Sequence, residues 1–236
     1  MDLKKIAYEL NKRCKDYKMN DFQKIRSEIH GLKRINSDKI FSEKSIKKDY
    51  AFHTGGRSEI QYNIGFEEID DEDYLRYGIA FSLETSNYYP DYKIEKFFLS
   101  SPPFPNRIKR YNDFLESKYY YLPENLRFWF YQDGIRSEIE NIKKIDLSDK
   151  TKLIGNFYFI GKLMKLSDLD SINFEKILLT FDSLLPLYIY VEGANVDKYD
   201  FNLTREKKPD DNSDKTDLLT IDTHFPNDEY EAEEGR

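Results

Sequence analysis

The sequence predicts an α+β fold, a mixed, mainly antiparallel twisted sheet carrying two N-terminal helices and one C-terminal helix. Three observations predict it. Two stripes of apolar residues at helical spacing open the chain, over 2–18 and 20–32. A run of strict alternation, Ile60-Gln61-Tyr62-Asn63-Ile64, follows and is answered by a second run over 74–84. A strong helical stripe at Phe174, Ile177, Leu178, Phe181, Leu184 and Leu185 comes late. Helices and strands do not alternate regularly, so an α+β domain fits better than a doubly wound arrangement.

Each element has its own warrant. Leu3, Ile6, Ala7, Leu10, Cys14 and Tyr17 line one side of the first helix, and lysines cover most of the rest. Asn20 with Gln23 reads as a capping box for the second, whose stripe is Phe22, Ile25, Ile29 and Leu32. The acidic run from Glu67 to Asp73 is expected to be a solvated hairpin turn. Residues 86–106 read as a loop rich in Tyr and Pro, and Ile108, Tyr111, Phe114 and Leu115 as a helix. Leu126 to Tyr131 is a predicted strand with a turn at Gln132-Asp133-Gly134, and further strands are expected over 137–145 and 156–164. Pro186 should kink or end the last helix.

Residues 1–194 are thus expected to form one domain, and 195–236 an acidic linker or tail. The net charge of −7 is concentrated there, because residues 195–236 hold 13 acidic and 6 basic side chains. Residues 1–50 carry 14 Lys/Arg against 8 Asp/Glu, so the body has a basic front. A single cysteine, no apolar leader after Met1 and no run long enough for a membrane span predict a cytoplasmic protein. His30, His53 and His224 are scattered, with no paired cysteines, so no zinc site is expected. Walker, Rossmann and nucleophile-elbow motifs are absent.

The stretch His53-Thr54-Gly55-Gly56-Arg57 joins a diglycine turn to the alternating strand. Consecutive backbone amides at Gly55 and Gly56 can hold an anion, and Arg57 offers a forked donor for phosphate or a guanine edge. A plain hairpin turn is the alternative. Glu59, Gln61 and Asn63 are expected on one strand face, opposite Ile60, Tyr62 and Ile64. Facing a cleft, they could read the edge of a base. An exposed polar sheet face is the plainer reading of the same row. Trp129 and Tyr131 alternate with Phe128 and Phe130, which belong to the core, so the first two are candidates for stacking on a base.

The segments Phe-His-x-Gly-Gly-Arg-x-Glu-Ile-Gln-Tyr-Asn-Ile-Gly (52–65), Tyr-Gly-Ile-Ala-Phe-Ser-Leu-Glu (77–84), Leu-Arg-Phe-Trp-Phe-Tyr (126–131) and Phe-Asp-Ser-Leu-Leu-Pro-Leu-Tyr (181–188) resemble the N-terminal recognition module of bacterial modification-dependent (type IV) restriction endonucleases. That resemblance, over residues 50–193, implies binding of double-stranded DNA and reading of a methylated cytosine by base flipping. It also implies a nuclease domain or subunit beyond this segment. The residues then expected at the DNA are His53, Gly55, Gly56, Arg57, Glu59, Gln61, Asn63, Trp129 and Tyr131, with no cofactor and no catalytic residue. Two alternatives stand beside it. One is an Mg²⁺-dependent nuclease of the PD-(D/E)XK kind, with Glu59, Gln61 and Glu84 at the metal. The other is a protein-interaction module using the tyrosines of 88–92.

Overall fold

A computed structural model of the chain describes residues 2–33, 39–55, 59–82, 103–120, 122–123, 125–132, 135–137, 140–146 and 157–199. Its strands are β1 (Tyr50–Phe52), β2 (Gln61–Ile69), β3 (Glu72–Ser82), β4 (Arg127–Gln132), β5 (Ile135–Arg136), β6 (Glu140–Asn141) and β7 (Phe157–Lys165). They form one sheet in the order β1-β2-β3-β7-β4-β5, with β6 also paired to β4. Among the described residues every pairing is antiparallel. The expected α+β class therefore holds, with a curled antiparallel sheet in place of a mixed one.

The central hairpin is tighter than its composition predicts. β2 runs to Ile69 and β3 starts at Glu72, so the acidic run is mostly strand. Only Asp70 and Asp71 turn, at φ 52° and 65°, left-handed values that Asp tolerates better than most residues. Glu67 is not solvated, because Arg76 and Arg136 hold it against the sheet.

One face of the sheet carries the helices α1 (Leu3–Arg13), α2 (Phe22–Ile29), α3 (Pro103–Phe114) and α4 (Ser171–Val191). Tyr62, Ile64, Leu75, Tyr77, Ile79, Phe128 and Ile160 meet them in the main core. Cys14 is buried in that core, as its place on the stripe predicts. The helix expected to kink or end at Pro186 does not end there but continues five residues further. A proline inside a helix costs about 3 kcal/mol. Leu187, Tyr188, Ile189 and Val191 are all fully buried beyond it, and each contributes about 1.5–3 kcal/mol, so burial outweighs the lost hydrogen bond. Among the described residues of the strand expected over 137–145, only the two of β6 are strand. Among the described residues no helix is long and apolar enough to cross a membrane.

The expected capping box at Asn20 does not form, and a 3₁₀ turn over Lys18–Asp21 leads into α2 instead. Asp182 of α4 supplies the cap, accepting from the backbone N–H of Lys18 at 2.9 Å and of Met19 at 2.8 Å. Burial pushes its carboxyl up to about 6, against the pull of those two amides. A carboxyl raised on folding contributes stability that is complete below its unfolded pKa and is lost as pH rises through the folded value. Stability at pH 7 relative to pH 4.5 is therefore expected to be about 1–2 kcal/mol better in Asp182→Asn than in the parent. Urea titrations of both at the two pH values check this, and equal pH slopes would contradict it.

The expected tail boundary also moves. Val196 is buried, Asn195 caps a short turn by accepting from Asp197 N at 3.0 Å, and Asp197 accepts from Lys118 and Tyr119. Residues 195–199 thus pack on the domain, while 200–236 lie outside the described residues.

Candidate functional site

The stretch after β1 turns sharply at Gly55, whose φ of +88° suits glycine. A side chain there would also collide with the Arg26 guanidinium, which lies 2.4 Å from where a Cβ would stand. Two bonds pin the start of this turn to β2. His53 N donates to Tyr62 O at 2.9 Å, and Tyr62 N donates to His53 Nδ1 at 3.0 Å. Because Nδ1 accepts, a neutral His53 carries its proton on Nε2. Burial holds this fully enclosed ring below its usual pKa, with Glu59 pulling the other way.

Glu59 departs from the predicted row. It stands in a bend before β2, outside the ladder, so the two-residue period does not reach it. Its carboxylate lies on the helix side. Arg26 meets Oε1 through Nε at 2.7 Å and NH2 at 2.6 Å. His30 Nε2 is 2.9 Å from Oε2, the Tyr188 hydroxyl donates to Oε2, and His53 Nε2 is 3.5 Å away. Burial would raise this carboxyl, but His30, His53 and Arg26 around it outweigh that and hold Glu59 ionised far below the usual range. Burial and the Glu59 charge together push Tyr188 well up.

A second carboxylate completes the knot. Glu192 Oε1 accepts from Ile60 N at 2.9 Å, and Oε2 takes Arg107 through Nε at 2.9 Å and NH2 at 2.8 Å. Arg26, His30, Tyr188, Glu192 and Arg107 were not singled out from the sequence. The available signal was a polar pair four residues apart on each of two otherwise apolar helix faces, Arg26/His30 and Tyr188/Glu192.

Gln61 and Asn63 do share a face, the one turned away from the helices, since Tyr62 and Ile64 point into the main core. The pairing lays out rows across four strands. One row is Gln61, Ala80, Phe159 and Trp129, and the next is Asn63, Gly78, Gly161 and Arg127. The middle of the second row has no side chains. A Cβ on Gly78 would lie 2.1 Å from Ile160 O, and one on Gly161 would lie 2.1 Å from Tyr77 O and 2.5 Å from the Phe159 ring. Only glycine permits that approach of the two strands. Asn63 is 1% exposed, and its Oδ1 has no hydrogen-bond partner.

Aromatic rings stand beside this strip. Trp129 and Phe159 are buried with ring centres 4.7 Å apart, and Trp129 Nε1 donates to the Tyr131 hydroxyl at 2.7 Å. The Arg76 guanidinium lies 5.1 Å from the Phe159 ring centre and 5.4 Å from that of Tyr131. It pairs with Glu67 at 3.1 Å. Burial raises the Glu67 carboxyl against the pull of Arg76 and Arg136.

Gly56, Arg57, Glu84 and the tyrosines of 88–92 lie outside the described residues. Among the described residues no group of three or more His, Cys, Asp or Glu is placed to hold a metal ion. No family model matches this chain, and no curated protein or solved structure matches it either.

Proposed function

We propose that this chain is a double-stranded DNA-recognition domain of a bacterial restriction system. In this reading an extruded modified cytosine lies against Gln61 and Asn63 on the sheet face turned away from the helices, and the lysine-rich helical front takes phosphates around the edge strand β1. Cleavage belongs to a separate domain or subunit. One observation carries the reading: the buried Asn63 amide oxygen is unpartnered beside a strip of sheet kept bare by Gly78 and Gly161. Leaving such an oxygen unpaired costs about 1–3 kcal/mol. A base supplies the missing donor in the exocyclic amino group of cytosine. Tyr131, held by Trp129, and the neighbouring Arg76 are the stacking partners. The turn at Gly55 approaches the DNA backbone, and Gly56 and Arg57, next in the sequence, are the residues expected to join it.

Glu59 has a different part in this account. Both its oxygens are engaged by Arg26, His30 and Tyr188, so it braces the entry to β2 and does not touch the base. That engagement also weighs against Glu59 as a ligand for Mg²⁺, and with it against the nuclease reading.

Fluorescence anisotropy without metal, on duplexes with and without 5-methylcytosine and across salt, tests the proposal. The parent is expected to bind with a steep salt dependence and to favour the modified duplex. Asn63→Leu should lose about 1–3 kcal/mol of that preference without any fall in Tm, because it also removes the unpaired buried oxygen. Failure of the parent to bind either duplex at low salt would end this reading.

A further inference from the structure

The basic front is a defined surface. The segment 39–48 is fastened along α1, because the Asn11 amide donates to Phe41 O at 2.7 Å and accepts from Phe41 N at 3.0 Å. Lys4 Nζ lies 3.5 Å from Glu43, to which the Tyr8 hydroxyl also donates. Lys4, Lys12, Lys39, Lys44, Lys47 and Lys48 are all exposed on these two elements. The chain leaves the described domain on the same helical side. Lys198 Nζ lies 3.1 Å from Glu28 of α2, and Val196 is buried beside it. Residues 200–236 follow, with 12 Asp/Glu against 5 Lys/Arg.

We propose that residues 200–236 compete with duplex DNA for the lysine surface formed by α1 and residues 39–48, so that the domain carries its own electrostatic inhibitor. The inference rests on the DNA reading above and adds a regulator to the same surface. Charge complementarity argues for this occupant: a net of −7 in the segment meets 8 Lys/Arg against 2 Asp/Glu on α1 and residues 39–48. Reach argues for it too. Thirty-seven residues can extend to at most about 120 Å, and a tether on this scale keeps its acidic groups at about millimolar effective concentration. Such contacts are exposed and screened within about 8–10 Å at moderate salt, so a polyanion with denser charge can displace them.

The test uses the full chain and a charge-neutralised version of it, with Asp210, Asp211, Asp214 and Asp217 changed to Asn and Glu231, Glu233 and Glu234 changed to Gln. At low salt the neutralised chain is expected to bind an unmodified duplex about tenfold or more tightly than the parent, a gap that closes at high salt. Carbodiimide coupling of the parent without DNA should link lysines of 4–48 to carboxylates of 200–236 within one chain, and added duplex should suppress those links. Equal affinities overturn the proposal, as do links that form only between chains. Links within the chain, together with no duplex binding by either version, would uphold the docking and remove the DNA reading instead.

Discussion

Glu59→Ala is expected to cost about 3–5 kcal/mol of folding stability, the largest effect of any single polar substitution here. The side chain is 2% exposed and receives Arg26, His30 and Tyr188 at once. Removing it leaves the Arg26 guanidinium, itself 12% exposed, without its counter-charge. These partners come from α2 and α4, so the loss loosens the sheet's attachment to two helices at the start of β2. Urea denaturation measures it. Glu59→Gln should recover part of the loss, since an amide oxygen still accepts from Arg26. The pH dependence gives a second readout. A carboxyl held below its ordinary value contributes stability that is present above its unfolded pKa and is lost as pH falls toward the folded one. The parent should therefore weaken below about pH 4.5 more than Glu59→Gln does. A Glu59→Ala protein as stable as the parent would show that the carboxylate is not the brace described.

The main core was legible because it follows period. The stripes of α1 and α4 and the alternation of Tyr62 and Ile64 place Leu10, Phe181, Tyr62 and Ile64 where periodicity puts them. Phe128 likewise separates from Trp129 into a different cluster, as strand alternation requires. Period fails where the ladder ends. Glu59 lies two residues before β2 begins, and a bend carries it to the face opposite Gln61. Pro186 shows the same limit in a helix, because a local penalty yields to burial that only the tertiary structure supplies. The acidic run at 67–73 misleads by composition. Its first carboxylate is neutralised by Arg76 and Arg136, from other strands or the other side of the turn, and no local pattern reveals that pairing. The bare strip at Gly78 and Gly161 was invisible for a related reason. Two glycines 83 positions apart become neighbours only once β7 inserts between β3 and β4.

Trp129→Ala is expected to cost a further class of about 3–5 kcal/mol, and the same residue can report on the proposed base site. The indole is 1% exposed, packs tilted against Phe159 with ring centres 4.7 Å apart and donates to Tyr131 at 2.7 Å. Deleting it opens the small cluster on the second face and releases the Tyr131 hydroxyl. Trp129→Phe keeps most of the packing and loses chiefly the hydrogen bond, about 1 kcal/mol. Differential scanning fluorimetry orders the three proteins parent, Phe, Ala, and an Ala variant as stable as the Phe variant would deny the indole its packing role. Trp129 is also the single tryptophan of the chain, so its emission reports on that face alone. A buried indole emits toward the blue. A base arriving beside Tyr131 should quench or shift that emission on titration with a 5-methylcytosine duplex, and the change should vanish in Asn63→Leu at concentrations where phosphate binding persists. An emission change of the same size in Asn63→Leu would separate the aromatic cluster from base reading and leave it a structural feature of the sheet.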